Sequence, residues 1–335
     1  MAKQAPSQRT LSHRARIETT LSGEKPDRVP VALWRHFPVD DQTPAGLAEA
    51  VVAWQRLYDF DFVKVTPEST YSVKDYGLQD EWRGNAEGTR TYTHHPVQSP
   101  DAWLKLTPLD PRAGRIGDQI TALRMIVSAL GPDVPVIETI FSPLTLARKL
   151  VGEEKFLVHL RHSPDALHAG LKTLTETTLR FLEAIQGTGI AGIFYALQYA
   201  QFALLSPAEF QEFARPYHLQ VLEAAKGYWL NVLHLHGNDV MFEQVADFPV
   251  QVINWHDQET FPSLAEGQKL FPGTVCGGLK QWQTMVLGSP DQVRAEAQAA
   301  IEATGGQRFI LGTGCVTPIT APHGNLIAAR KSVES

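Results

Sequence analysis

Two histidines separated by one residue, His234 and His236, lie in an apolar run that ends at Gly237 and Asn238. On a strand, residues i and i+2 point to the same face, so both imidazoles would stand together at the strand's C-terminal end. A second segment, Gly312 to Val316, carries Cys315. Brought to the same place, the three side chains offer two nitrogens and one sulfur, a donor set suited to zinc. Three protein ligands leave one coordination position open, which is the catalytic rather than the structural arrangement. The same residues also admit a plainer reading, a pair of hydrogen-bonded histidines and an unrelated buried cysteine.

Composition narrows the classes. The chain has 335 residues, 43% hydrophobic and 20% charged, with a net charge of −6. These are the proportions of a globular enzyme, and the acidic balance argues against nucleic acid or an anionic membrane as partner. No apolar run has the length that spans a bilayer. Residues 1–21 are polar and basic and do not read as a secretory signal. Two cysteines exclude a disulfide framework and fit a reducing cytoplasm. Cys276, between Val275 and Gly277, reads as a small buried side chain.

The elements needed to position the three donors follow from the pattern. Short β-branched or apolar runs at 28–36, 61–67, 134–142, 190–198, 229–236, 250–256, 273–279 and 308–315 read as strands. Helical stretches lie between them at 44–59, 116–130, 145–186, 207–226, 239–248, 262–270 and 290–304, with a final turn from Pro322. Proline opens many of these helices, where its missing N–H costs nothing. Strands alternating with helices imply parallel pairing, and eight such units predict a single α/β domain folded as a (β/α)₈ TIM barrel. One stretch, Ser69–Arg112, breaks the alternation. Threonine and tyrosine runs around Gly88 predict a hairpin within it, laid as an insertion over the barrel mouth.

Active sites of such barrels gather at the C-terminal ends of the strands. Those ends carry Arg35 and His36, Glu68, Ser142, Gln198 and Tyr199, His234 and His236, Trp255 and His256, and Cys315. All three proposed donors therefore fall on one rim.

Several motifs resemble the uroporphyrinogen decarboxylase superfamily. They are the opening Leu21–Val31, the Ser142–Leu146 turn, Phe213–Tyr217, His236-Gly237-Asn238 and the closing Gly314–Pro322. The resemblance runs through nearly the whole chain and implies the barrel of the uroporphyrinogen decarboxylase and methionine synthase type. It implies one of two chemistries. One branch decarboxylates uroporphyrinogen without a cofactor; the other comprises zinc-dependent methyltransferases that move a methyl group between a corrinoid and a thiol such as coenzyme M. The decarboxylase pattern is incomplete here. Its arginine-rich motif meets Arg35-His36-Phe37-Pro38, its catalytic aspartate aligns with Glu68, its tyrosine falls near Lys149, its serine near Ala200, and its last histidine is replaced by Cys315. An octacarboxylate substrate needs several arginine partners. The methyltransferase pattern of His-x-Cys followed by Gly-Cys is met by His234, His236 and Cys315, with His236 in place of the first cysteine.

On this resemblance the expected metal ligands are His234, His236 and Cys315, holding zinc. Glu68 and His256 are expected to position the substrate or take the thiol proton, and Arg35 to hold an anionic tail unless it pairs with Glu68. Gln198, Tyr199 and Trp255 are expected to line the substrate pocket. The corrinoid would ride on a separate protein, since no cobalamin-binding motif is visible, and an apolar mouth would also suit a homodimer. Uroporphyrinogen decarboxylase is the alternative enzyme. A non-catalytic tetrapyrrole- or corrinoid-binding protein is a third reading.

Overall fold

A computed structural model describes residues 10–334. In chain order its strands are β1 (Val63–Val65), β2 (Gln79–Glu81), β3 (Thr91–His94), β4 (Val136–Phe141), β5 (Gly192–Leu197), β6 (Val232–Leu235), β7 (Val252–Trp255), β8 (Thr274–Leu279) and β9 (Phe309–Thr313). Seven of them form one curled sheet in the order β1-β4-β5-β6-β7-β8-β9, every pairing parallel. All their residues are buried, as expected for parallel strands covered on both faces and rich in Val, Ile and Leu. The buried apolar side chains make one continuous cluster. No helix of the described residues is long and apolar enough to cross a membrane.

The strand expected at 28–36 is reduced to a single bridge, Val31 to Leu311. Pro30 has no N–H to donate, and the Val31 N–H goes to the Asp61 carboxylate at 2.8 Å instead of to a neighbouring strand. The segment nevertheless touches both edges of the sheet. Ala32 N donates to Leu311 O at 2.9 Å, and Asp61 N donates to Val31 O at 2.8 Å.

Helices fill the connections, with Pro44, Pro143, Pro164, Pro207 and Pro290 at their first turns. The stretch 145–186 divides into Pro143–Val151, Glu153–His162 and Pro164–Ile185, broken at Gly152 and Ser163. The single helix expected at 207–226 is two, Pro207–Phe213 and Arg215–Ala224, because Pro216 cannot continue the hydrogen bonding of the first. The helix expected at 239–248 is a short turn, Phe242–Gln244. Within the stretch 69–112, β2 and β3 pair as an antiparallel hairpin. Its far end packs on the segment after Trp34: at Gly88, with φ +83°, a Cβ would lie 2.5 Å from the His36 Cβ. Only glycine permits that approach.

Asp61 anchors the N-terminal side of the sheet. Its fully buried carboxylate accepts from Arg16 Nη1 at 2.6 Å, Arg28 Nη1 at 2.7 Å and Val31 N, with His13 Nδ1 at 3.1 Å. Burial alone would raise its pKa, but His13, Arg28 and Arg16 outweigh it and hold the group at about 2. A depressed carboxylate stabilises the fold above its unfolded value of about 3.9, and that contribution disappears as pH falls towards 2. Asp61→Asn should therefore cost about 3 kcal/mol in urea unfolding at pH 7, because two arginines lose a buried partner. The cost should shrink in acid.

Candidate metal centre

Strand β6 turns His234 inward, beside Asn254 of β7, its partner in register. The Asn254 amide donates to Cys276 O at 2.9 Å and to Thr313 O at 3.0 Å, so its oxygen must face His234. That oxygen lies 2.7 Å from His234 Nδ1. Nδ1 therefore carries the proton and Nε2 presents a lone pair, the orientation that holds a metal-ligating histidine.

His236 lies just beyond β6, held by its N–H to Leu197 O at 2.9 Å. Its Nδ1 is 3.6 Å from Cys315 Sγ. Cys315 reaches this point because Gly314 slips past the exit of β7: a Cβ there would stand 2.7 Å from His256 Cα and 2.9 Å from Trp255 O. Beyond the same exit, His256 pairs through Nδ1 with Glu259 Oε2 at 3.2 Å, which leaves its buried Nε2 without a hydrogen-bond partner.

One ligand atom from each of His234, His236, His256 and Cys315 lies within 4.8 Å of the other three. Burial pushes His234 well below the ordinary histidine range. It lowers His236 to about 4, with His256, Arg148 and Lys149 adding to the effect. Burial also raises the Cys315 thiol to about 12. Two neutral imidazoles and a thiol at this spacing, with the unpartnered Nε2 of His256 beside them, fit a divalent ion with nitrogen and sulfur preference, such as zinc.

Beside the cluster is a cavity of about 80 Å³ lined by Trp34, His36, Lys64, Phe141, Phe194 and Gln198, with Glu87 and Thr89 from the hairpin. Among the described residues no arginine lines it. The Phe194 ring stacks on His234 with centroids 5.1 Å apart. The Gln198 carbonyl oxygen is buried without a partner.

Of the residues expected at this site, His234, His236, His256, Cys315 and Gln198 come together. Four others lie away from it. Glu68 does not line the cavity; its carboxylate is held by Arg115 Nε at 2.9 Å, Lys74 Nζ at 3.0 Å and Gln42 Nε2 at 2.9 Å, which occupy its lone pairs. Arg35 neither pairs with Glu68 nor reaches the cavity, since its guanidinium lies 4.8 Å from the Trp54 ring centroid and 5.1 Å from that of Phe37. Trp255 is core, fully buried, with its indole donating to Pro262 O at 2.8 Å. Tyr199 packs edge-on against Phe156 at 4.8 Å, away from the lining. Lys64 was overlooked, and His36, read at a strand end, was given no role. Burial pulls His36 to about 3 and Lys64 to about 8. The signal for Lys64 was a lysine inside the apolar strand run Phe62–Val65.

Comparison with known proteins bears on this arrangement. The uroporphyrinogen decarboxylase (URO-D) family matches residues 12–335. The methylcobamide:CoM methyltransferase MtaA of Methanosarcina barkeri is 29% identical, over 95% of this chain and 97% of its own. A uroporphyrinogen decarboxylase of Mycobacterium sp. (strain KMS) is 32% identical over 68% of each chain. Among solved structures, a methyltransferase from Methanosarcina mazei superimposes with a TM-score of 0.83 at 22% identity, covering 96% of this chain and 98% of its own. A B12-independent methionine synthase from Shewanella sp. W3-18-1 follows the same fold at a TM-score of 0.59 and 10% identity, over 91% and 97%. With a family match running from the first described helix to the last residue, the chain belongs to the uroporphyrinogen decarboxylase family.

Proposed function

We propose that this protein transfers a methyl group between a corrinoid and a thiol at a zinc centre held by His234, His236 and Cys315. The observation that carries the reading is the convergence of those donors with His256 beside a small cavity that no described arginine lines. Uroporphyrinogen carries eight carboxylates, so a decarboxylase would need arginine clamps, and none of the described arginines lines the cavity. A short thiol fits. The corrinoid is taken to be presented at the mouth by a partner protein. Full-length coverage of the methylcobamide:CoM methyltransferases, against partial coverage of the decarboxylases, supports the same choice.

In this reading the sheet and the 30–32 segment close into one eight-unit barrel in the cytoplasm, with the insertion 69–112 over its mouth. When bound, zinc supplies a Lewis acid that keeps a thiol ionised at neutral pH. His256 Nε2 is placed to accept the thiol proton, and Glu259 on Nδ1 stabilises the imidazolium that forms. Asn254 holds His234 in the tautomer that offers Nε2. Trp34 and Phe194 exclude water from the thiol's carbon chain. Incubating the zinc-loaded protein with methylcobalamin and small thiols tests the proposal. S-methylated product is expected; its absence with every thiol tried would reject the reading.

A further inference from the structure

We propose that residues 82–89, the loop of the β2–β3 hairpin, are a gate over the clustered donors, opening at the tip to admit the methyl donor while the hairpin's base stays fixed. What enters rests on the methyl-transfer reading. That the loop opens rests on how this chain fastens it.

The base is fastened by buried charge. Strands β2 and β3 pair only with each other, outside the barrel sheet. The Asp80 side chain of β2 has no exposed surface, and its carboxylate accepts from Arg90 Nε, from Thr70 Oγ1 and, at 3.3 Å, from Lys74 Nζ. Lys74 Nζ also holds Glu68 Oε2 at 3.0 Å. Beyond β3, His95 Nδ1 lies 2.7 Å from Lys149 O and Val97 N donates to Leu150 O at 3.0 Å, both carbonyls belonging to the helix Pro143–Val151. Withdrawing one partner from a buried charge set is costly, so the base stays in place.

The tip is held more lightly. Its turn closes on itself, with Gly88 N donating to Asn85 O at 2.9 Å and Glu87 N to Asn85 Oδ1 at 2.8 Å. Among the described residues two hydrogen bonds join 82–89 to the far rim of the mouth. Ile319 N donates to Ala86 O at 2.8 Å, and Gln281 Nε2 to Glu87 Oε1 at 3.0 Å. Gly84, between base and turn, has φ +76° and open space where a Cβ would stand, so the backbone can pivot there. Arg83, Gly84 and Asn85 are exposed. Segments with few buried contacts open locally without unfolding the rest. The receiving rim is firmer, since Thr317 N donates to Trp34 O at 2.8 Å and Met285 N to Lys280 O at 3.0 Å.

Closed, the loop sets Glu87 and Thr89 into the wall of the cavity shared by His234, His236 and Cys315. His234 is 3% exposed and Cys315 8%. Reacting atoms must come within about 3–3.5 Å of each other, so the carrier of the methyl group has to follow its carbon towards a sulfur held at these donors. The loop is the lightly tied part of the wall in its way.

The test uses the zinc-free protein and the Cys315 thiol as the reporter. Gln281→Ala removes the side-chain half of the latch, and Gln281→Glu sets a second carboxylate against Glu87. Losing a hydrogen bond to a charged group should raise the open population about tenfold. Fluorescein maleimide, a bulky flat reagent, should therefore modify Cys315 about tenfold faster in Gln281→Ala than in wild type, and faster still in Gln281→Glu. Hydrogen exchange should quicken at 82–89 and at the Ile319 amide and stay unchanged in β4 and β5. Cys276, fully buried on β8, should remain unmodified in all three proteins. Equal rates at Cys315 in the three proteins would overturn the proposal, as would faster modification that extends to Cys276, which signals general unfolding. Neither readout involves zinc or a methyl donor, so the gate stands or falls separately from the methyl-transfer reading.

Discussion

Cys315→Ser should strip the protein of zinc and, with it, of methyl transfer. Cys315 is the one sulfur among the four clustered donors, and a neutral serine hydroxyl replaces a thiolate that would offset half the charge of the ion. Substitutions that only orient a ligand already cost about 10- to 100-fold in metal affinity, so loss of the thiolate should exceed about 100-fold in both zinc affinity and rate. Cys276→Ser is the control. That thiol is fully buried on β8, burial pushes its pKa up, and its sulfur faces Gly312 rather than the cluster. Zinc analysis of the three proteins purified side by side checks the assignment. Equal zinc in wild type and Cys315→Ser would refute it.

Metal uptake should be steeply pH-dependent with a stoichiometry of one proton. In the metal-free protein burial holds His234 and His236 neutral at pH 7, so neither has a proton to lose. Cys315, raised to about 12 by burial, is still a thiol there and must release its proton for the ion to bind. Below that value each unit of pH raises the apparent zinc affinity about tenfold, or about 100-fold between pH 6 and pH 8. Under acid conditions near pH 4, protonation of His236 should steepen the slope. Competition with a chelator across this range measures the effect. A flat profile would mean that the thiolate is not a ligand, and Cys315→Ser should flatten the profile by itself.

The strands were readable because seven of them are short, mainly apolar runs, as a sheet buried on both faces requires. The His234, His236 and Cys315 rim was readable because strand alternation and strand ends decide where side chains emerge. What escaped was decided by distant partners. Whether 28–36 forms a strand depends on Asp61, which captures the Val31 N–H from across the chain. Arg35 and Glu68 sit near strand ends, as read, yet stacking on Trp54 turns one away and Arg115 with Lys74 turns the other. Trp255 looked like a pocket wall, but the close approach of Gly267 places its ring in the core. Lys64 announced itself as a charge in an apolar strand.

The central claim is that the clustered donors serve a thiol and not a porphyrinogen. A single zinc-loaded preparation offered methylcobalamin with a small thiol in one reaction, and uroporphyrinogen in another, tests it most directly. The account predicts S-methylated thiol that is lost in Cys315→Ser, with no coproporphyrinogen. Efficient coproporphyrinogen formation, unchanged by Cys315→Ser, would contradict it.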